Sequence, residues 1–139
     1  MAAQPVSDGF QVLDHEEHGP YLAGPNGRPV YVFLTTGRGG DGLPPLESCT
    51  QRCLEEWPLI VAEETPEGGP NVPAELFGTV SHRGKDVLTY GGRPLFTFAL
   101  EDGDLVPDGH AVHTWGGWWA LVRPDGMPIR TGIMPNSVD

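Results

Sequence analysis

The chain has little positive charge. Only 8 of its 139 residues are Lys or Arg, against 19 Asp or Glu, and the formal net charge is −11 when histidine is counted as neutral. A surface of this sign repels phosphate backbones and anionic lipid, so nucleic-acid and membrane-surface partners are not expected. A basic partner or a cation would be attracted instead.

Long apolar runs and known catalytic motifs are also absent from the sequence. No stretch approaches the length of a bilayer-spanning helix, so no membrane span is expected. The first residues show no basic stretch followed by an apolar core, so we expect no signal peptide in this chain. There is no phosphate-binding loop, metalloprotease helix, Gly-x-Ser-x-Gly motif or Cys-x-x-Cys-His haem attachment site. We therefore expect a single domain that is not an enzyme.

Turn-forming residues are abundant. The chain has 20 Gly and 15 Pro, which is more helix-breaking residues than a helical bundle tolerates. This composition is typical of short strands joined by many turns. The sequence predicts a mostly β fold. It would consist of two pseudo-repeated antiparallel hairpin or meander units, with one short helix that carries Cys-x-x-x-Cys.

The repeat is the clearest long-range pattern. Gly-Arg-Pro-Val-Tyr-Val-Phe at 27–33 recurs as Gly-Arg-Pro-Leu-Phe-Thr-Phe at 92–98, an offset of 65 positions from Gly27 to Gly92. This match predicts an internal duplication, with unit one at about 20–59, unit two at about 75–123, and flexible tails at both ends.

Each unit predicts a hairpin. In unit one, strands 21–23 and 30–34 flank a turn that contains Asn26-Gly27, a pair that favours tight hairpin turns. In unit two, strands 86–90 and 95–100 flank Gly91-Gly92, and 76–81 is a third strand. A closing strand at 118–122 follows, with polar loops at 63–73 and 101–113.

Cys49 and Cys53 lie in a stretch, 47–57, whose spacing predicts one short helix that Pro58 ends. Residues four apart share a helix face and lie within reach of a disulfide. Three interpretations remain open from the residues alone: a structural disulfide, a thiolate pair for a soft metal such as Cu(I) or Zn, and two unlinked core cysteines.

Two His-x-x-His pairs stand in polar, turn-like sequence: His15 with His18, and His110 with His113. Imidazoles three apart converge on one metal when the backbone is turned, so these pairs are candidate metal ligands together with the two cysteines. The alternative is that they are solvent-exposed loop histidines. Copper or haem handling in an envelope electron-transfer pathway is the function that such ligands would favour.

The order of these pieces resembles the bacterial secreted-repeat lipoproteins, a largely uncharacterised family with a Tyr-x-Phe-x-x-Asp repeat. The matching segments are the hairpin strand at 27–33, Ser-Cys-x-x-x-Cys-x-x-x-Trp-Pro-Leu at 48–59, Tyr-Gly-Gly-Arg-Pro-Leu-Phe-x-Phe at 90–98, and Gly-Gly-Trp-Trp at 116–119. The match covers about residues 20–122. The repeat-motif positions in this chain are Tyr31, Phe33, Thr36, Phe96, Phe98 and Glu101.

The resemblance implies export to the periplasm or cell surface, and it makes the Cys49–Cys53 disulfide the first choice. The family's acidic repeat position is Thr36 in one unit and Glu101 in the other. We therefore expect a non-enzymatic extracytoplasmic binding or accessory domain, with a small ligand, a metal or an envelope redox protein as partner. The alternatives are the metal or haem protein, and a hydrolase-type enzyme that uses His82 or His113 with a carboxylate.

Overall fold

The computed structural model describes residues 10–24, 27–35, 40–61, 72–99 and 109–133. These ranges contain two helices and eight strands, which in chain order are β1 (Gln11–His15), β2 (Gly19–Ala23), β3 (Tyr31–Leu34), α1 (Pro45–Ser48), α2 (Gln51–Glu56), β4 (Phe77–His82), β5 (Lys85–Tyr90), β6 (Arg93–Pro94), β7 (Val112–Thr114) and β8 (Gly117–Leu121). A short 3-10 turn over Ala74–Leu76 leads into β4. The predicted mostly β class is confirmed. Neither of the helices in these ranges has the length and apolar character that crossing a bilayer requires.

The strands form three small antiparallel sheets. One is the hairpin β1–β2, the second has the order β3–β8–β7, and the third has the order β4–β5–β6. Isolated bridges join the sheets to one another, among them Tyr31 with Phe96 and Val61 with Val87. The sheets therefore belong to one connected structure.

In unit two, the predicted strands at 76–81 and 86–90 form β4 and β5, which pair along their full length around the turn at Arg83-Gly84. The predicted return strand at 95–100 is wrong beyond its first residue. Arg93 and Pro94 pair with β5, and the Leu95 N–H donates to the Leu88 carbonyl at 3.0 Å. From Phe96 the chain leaves β5 and pairs with Tyr31 instead.

The predicted hairpin of unit one forms only at its closed end. The Gly24 N–H donates to the Arg28 carbonyl at 2.7 Å, but beyond this turn the two strands separate. β2 pairs with β1 and β3 pairs with β8. All four residues of β3 are buried, so both faces of this strand must be covered by other parts of the fold. β1 and β7 were missed because their sequences are polar and resemble loops.

The two repeated segments pair with each other. The Tyr31 N–H donates to the Phe96 carbonyl at 2.8 Å, and the Phe96 N–H donates to the Tyr31 carbonyl at 2.9 Å. These two residues occupy equivalent positions in the repeated segments 27–33 and 92–98. Two copies related by a two-fold axis would pair in this way, with equivalent positions bonded to each other in an antiparallel ladder. The internal duplication itself stays a prediction.

The segments that follow the repeats are exchanged between the units. Residues 57–61, here called the closing segment, pair with unit two: Leu59 bridges Phe96, and the Ile60 carbonyl accepts from the Leu88 N–H at 2.9 Å. In the same way β8 pairs with unit one, where Leu121 lies opposite Tyr31. Each unit therefore completes the sheet of the other.

Aromatic rings fill the space between the units. Phe33, Trp119, Trp57 and Phe98 stack in that order, with centroid separations of 3.9, 3.9 and 4.1 Å, and we call them the aromatic column. Trp57 and Trp119 are parallel within 2°, and both are fully buried. The rings at the two ends of the column, Phe33 and Phe98, occupy equivalent repeat positions. The column follows the same approximate two-fold arrangement as the backbone pairing.

The predicted helix at 47–57 is two helices. α1 ends at Ser48, Cys49 adopts an extended conformation with φ −83° and ψ 97°, and α2 begins at Gln51. A disulfide joins Cys49 to Cys53 across this break, with the Cα atoms 5.1 Å apart. The disulfide is thus confirmed, and the interpretations as a thiolate metal pair and as unlinked cysteines are wrong because both sulfurs are bonded to each other.

Reduction of this disulfide should lower the stability of the fold. The bond closes a loop with a sequence separation of 4, for which the loop-entropy model gives about 2 kcal/mol. We expect the free energy of unfolding in urea to fall by about this amount in a reducing buffer. The double variant Cys49→Ala with Cys53→Ala should not respond to reductant. Two free thiols in denatured, unreduced protein would contradict the assignment.

Candidate functional site

Three of the four predicted metal-ligand histidines come together. His15 ends β1, His18 lies in the following turn, and His110 lies in the turn before β7. The rings of His15 and His18 stack with centroids 4.4 Å apart, and those of His18 and His110 are 4.2 Å apart. We call these residues the imidazole cluster. The fourth, His113, lies outside it and stacks on Trp118 at 4.5 Å.

Hydrogen bonds occupy both ring nitrogens of His110 and the Nδ1 atoms of His15 and His18. His110 Nδ1 accepts from the Leu121 N–H at 3.0 Å, so its Nε2 carries the proton and donates to the Thr131 carbonyl at 2.6 Å. His15 Nδ1 accepts from the amides of Glu17 and His18 at 3.1 and 3.3 Å. Within the described ranges no group of three or more His, Cys, Asp or Glu side chains is placed to hold a metal ion.

Partial burial favours the neutral form of two of these rings, His110 and His18. Desolvation lowers the pKa of His110 to about 4, and the nearby His18 and His15 act in the same direction. Desolvation also lowers the pKa of His18, followed by repulsion from His15. When both are neutral, His18 and His110 can pack against each other without charge repulsion. The cluster thereby connects the β1–β2 turn to the Thr131 region.

The repeat-motif residues that the structure describes are part of the core. Phe33 and Phe98 stand at the ends of the aromatic column, and Tyr31 and Phe96 are fully buried. The Tyr31 hydroxyl accepts from the Gly109 N–H at 3.1 Å. The remaining motif positions, Thr36 and Glu101, lie outside the described residues.

A pocket that the sequence did not indicate lies beside the β4–β5 turn. Its volume is about 290 Å³, near the lower end of the range for small-molecule sites, about 300 Å³. We call it the hairpin pocket. Its lining comes from α2, the closing segment and the β4–β5 hairpin, and comprises Gln51, Leu54, Pro58, Leu59, Val61, His82, Arg83, Lys85 and Val87.

Strand alternation places one face of the hairpin toward this pocket. His82 lies opposite Lys85, and Val87 is two residues further along the same strand as Lys85, so the three side chains project to the same side. Val61 bridges Val87 and is 47% exposed, which leaves an apolar surface open at the pocket. The pairing register of the hairpin thus places the cationic side chain of Lys85 beside the apolar side chains of Val61 and Val87.

The charge of the pocket is opposite to that of the chain. Arg83 and Lys85 are two of only eight Lys and Arg residues, and among the described residues no Asp or Glu lines the pocket. Within the described part of the chain, no ion pair neutralises either of them. The signal available in the sequence was this basic pair on either side of Gly84.

No family model, no curated protein and no solved structure matches the chain. The resemblance to the secreted-repeat lipoproteins therefore stays a prediction.

The pH dependence of the free energy of unfolding should reflect the lowered pKa of half-buried His110. Its pKa is about 4 in the folded protein and about 6.5 in an unfolded chain. The unfolded chain therefore binds more protons between these values, and the stability that the neutral ring contributes is lost as pH falls from about 6.5 to about 4. We expect the urea midpoint to fall more steeply over this window in the native chain than in His110→Asn, whose amide oxygen can still accept from Leu121.

Proton NMR of the imidazole rings gives a direct check on the same residue. His110 should remain the neutral Nε2–H form at pH 5. An ordinary titration between pH 6 and 7, or a ring that is protonated on both nitrogens at pH 5, would contradict the hydrogen-bond assignment. His113→Gln, a change outside the cluster, serves as the control and should leave the His110 signal unchanged.

Proposed function

We propose that the chain is a non-enzymatic, extracytoplasmic binding domain, stapled by the Cys49–Cys53 disulfide, and that its ligand occupies the hairpin pocket. The observation that carries the proposal is the pocket itself, an apolar concavity with convergent polar groups. Sites of this composition are the usual small-molecule sites of proteins. The scaffold would be two repeated units that have exchanged their closing strands.

The disulfide supports the extracytoplasmic part of the proposal. Disulfides persist in oxidising compartments such as the periplasm and the cell surface, and they are rare where cellular thiols keep cysteine reduced. The bonded pair is buried beside Trp57 in the aromatic core. This placement suits a structural bond. The disulfide and the resemblance together support a periplasmic or secreted location.

Binding has more support than hydrolysis. A nucleophile needs a base within hydrogen-bonding distance. Ser81 and His82 are neighbours on β4, so their side chains project to opposite faces of the hairpin. Only His82 lines the pocket, and His113 lies elsewhere, on Trp118.

Metal or haem handling has less support than organic ligand binding. The two cysteine sulfurs are bonded to each other, and both ring nitrogens of His110 hold backbone groups. The ligand set that favoured copper is therefore divided between a disulfide and a hydrogen-bonded cluster.

Blocking the pocket tests the proposal. We expect a library of neutral, anionic and cationic fragments to contain members that shift the amide signals of Leu54, Val61 and Val87. Val61→Trp places a large side chain at the pocket and should abolish these shifts. Ser81→Trp is the matched control, because Ser81 is exposed on the same hairpin, projects to the face opposite His82 and does not line the pocket.

The control variant should bind as the native chain does. Fragment shifts that survive in Val61→Trp, or that map only to residues away from the pocket, would contradict the proposed function.

A further inference from the structure

We infer that the hairpin pocket selects a small amphipathic carboxylate, a molecule with an apolar body and one anionic end. This inference rests on the proposed function and adds the chemical class of its ligand. It comes from the distribution of charge and apolar surface over the pocket lining, with the net charge of the chain as the background.

The apolar body would lie on the floor of the pocket. Leu54 from α2, Pro58 and Leu59 from the closing segment, and Val61 with Val87 at their bridge supply this surface. Val61 is 47% exposed at the pocket. Covering water-exposed apolar side chains with an alkyl or aryl group contributes favourably to the free energy of binding. The ligand is small, because the volume is about 290 Å³.

The anionic end would lie at the β4–β5 turn. Arg83 and Gly84 both have left-handed backbone conformations, with φ of 53° and 80°, so the turn is tight and places Arg83 and Lys85 on either side of Gly84. Arg offers a planar pair of donors that matches a carboxylate, and Lys adds a point charge. Gln51 and His82 add polar groups to the same lining.

His82 supports a polar ligand atom at this end. Its Nε2 is buried, and within the described residues it has no hydrogen-bond partner. A buried ring nitrogen without a partner is costly, and a carboxylate oxygen within reach of it would remove that cost. This observation is independent of the two cationic side chains.

The background charge gives the pocket its selectivity. The chain carries −11 overall, so most of its surface repels an organic anion. In the part of the chain that the structure describes, the hairpin pocket is lined by two cations and by no acidic side chain, so it attracts the organic anions that the rest of the surface repels. A cationic ligand of the same shape would meet like charge, which is the usual way that a site excludes a competitor.

Titration with three matched probes tests the inference. Octanoate, 1-octanol and octylamine share the apolar chain and differ in the charge of the end group. Followed by amide NMR at low ionic strength, octanoate should bind in the hairpin pocket about tenfold more tightly than the other two, the usual value of a charge-assisted hydrogen bond. Inorganic phosphate, an anion without an apolar body, should bind at least as weakly as octanol.

Single substitutions separate the charge from the shape. Arg83→Gln and Lys85→Gln should each weaken octanoate binding by about tenfold and leave octanol binding unchanged. Arg123→Gln is the matched control, because Arg123 pairs with Asp125 on the surface at 3.5 Å and lies outside the pocket. This variant should bind octanoate as the native chain does.

Three results would overturn the inference in different ways. Equal binding of octanol and octanoate, unaffected by either substitution, would remove the anionic preference and leave the proposed binding function intact. Phosphate binding as tight as that of octanoate would remove the role of the apolar floor. The absence of any shift at the pocket, with these probes and with the fragment library, would overturn the proposed function as well.

Discussion

The reciprocal backbone pairing of Tyr31 with Phe96 is the contact on which the rest of the molecule depends. Because each residue donates to and accepts from the other, the two repeated segments are fixed side by side. The closing segment then pairs with unit two and β8 pairs with unit one. Trp57 and Trp119, which arrive on these exchanged segments, stack against each other at the centre. Neither unit has a complete sheet or core without the other.

The exchange also builds the hairpin pocket. Pro58, Leu59 and Val61 belong to the closing segment of unit one, whereas His82 to Val87 belong to the hairpin of unit two. The corresponding corner of unit one, beside the β1–β2 turn, is filled by the imidazole cluster and Thr131. One corner is thus packed with imidazole rings, and the other holds the open, cationic hairpin pocket. An approximately symmetric scaffold therefore presents two chemically different surfaces, and the second offers space for a ligand.

Local features were predictable from the sequence because local chemistry determines them. The β4–β5 hairpin follows from β-forming runs around Arg83-Gly84. Two cysteines four positions apart allow a disulfide, and the resemblance made it the first choice among three interpretations. The pairing partners were not predictable, because β3 and β8 are apolar on both faces and their composition does not specify which buried strand lies beside them. The break at Cys49 was missed, although Ser48, Cys49 and Thr50 are weaker helix formers and Thr50 is the N-cap of α2. The pocket escaped because its walls come from segments more than twenty positions apart.

Amide hydrogen exchange at Tyr31 and Phe96 tests the exchanged architecture most directly. Their N–H groups bond to each other's carbonyls, so both should be released only when the two units separate. We predict that the two amides exchange with the same opening free energy, within about 0.5 kcal/mol, and that this value equals the global free energy of unfolding. Exchange of one amide through a clearly lower-energy opening than the other would show that a unit opens alone, and would contradict the mutual dependence of the two units.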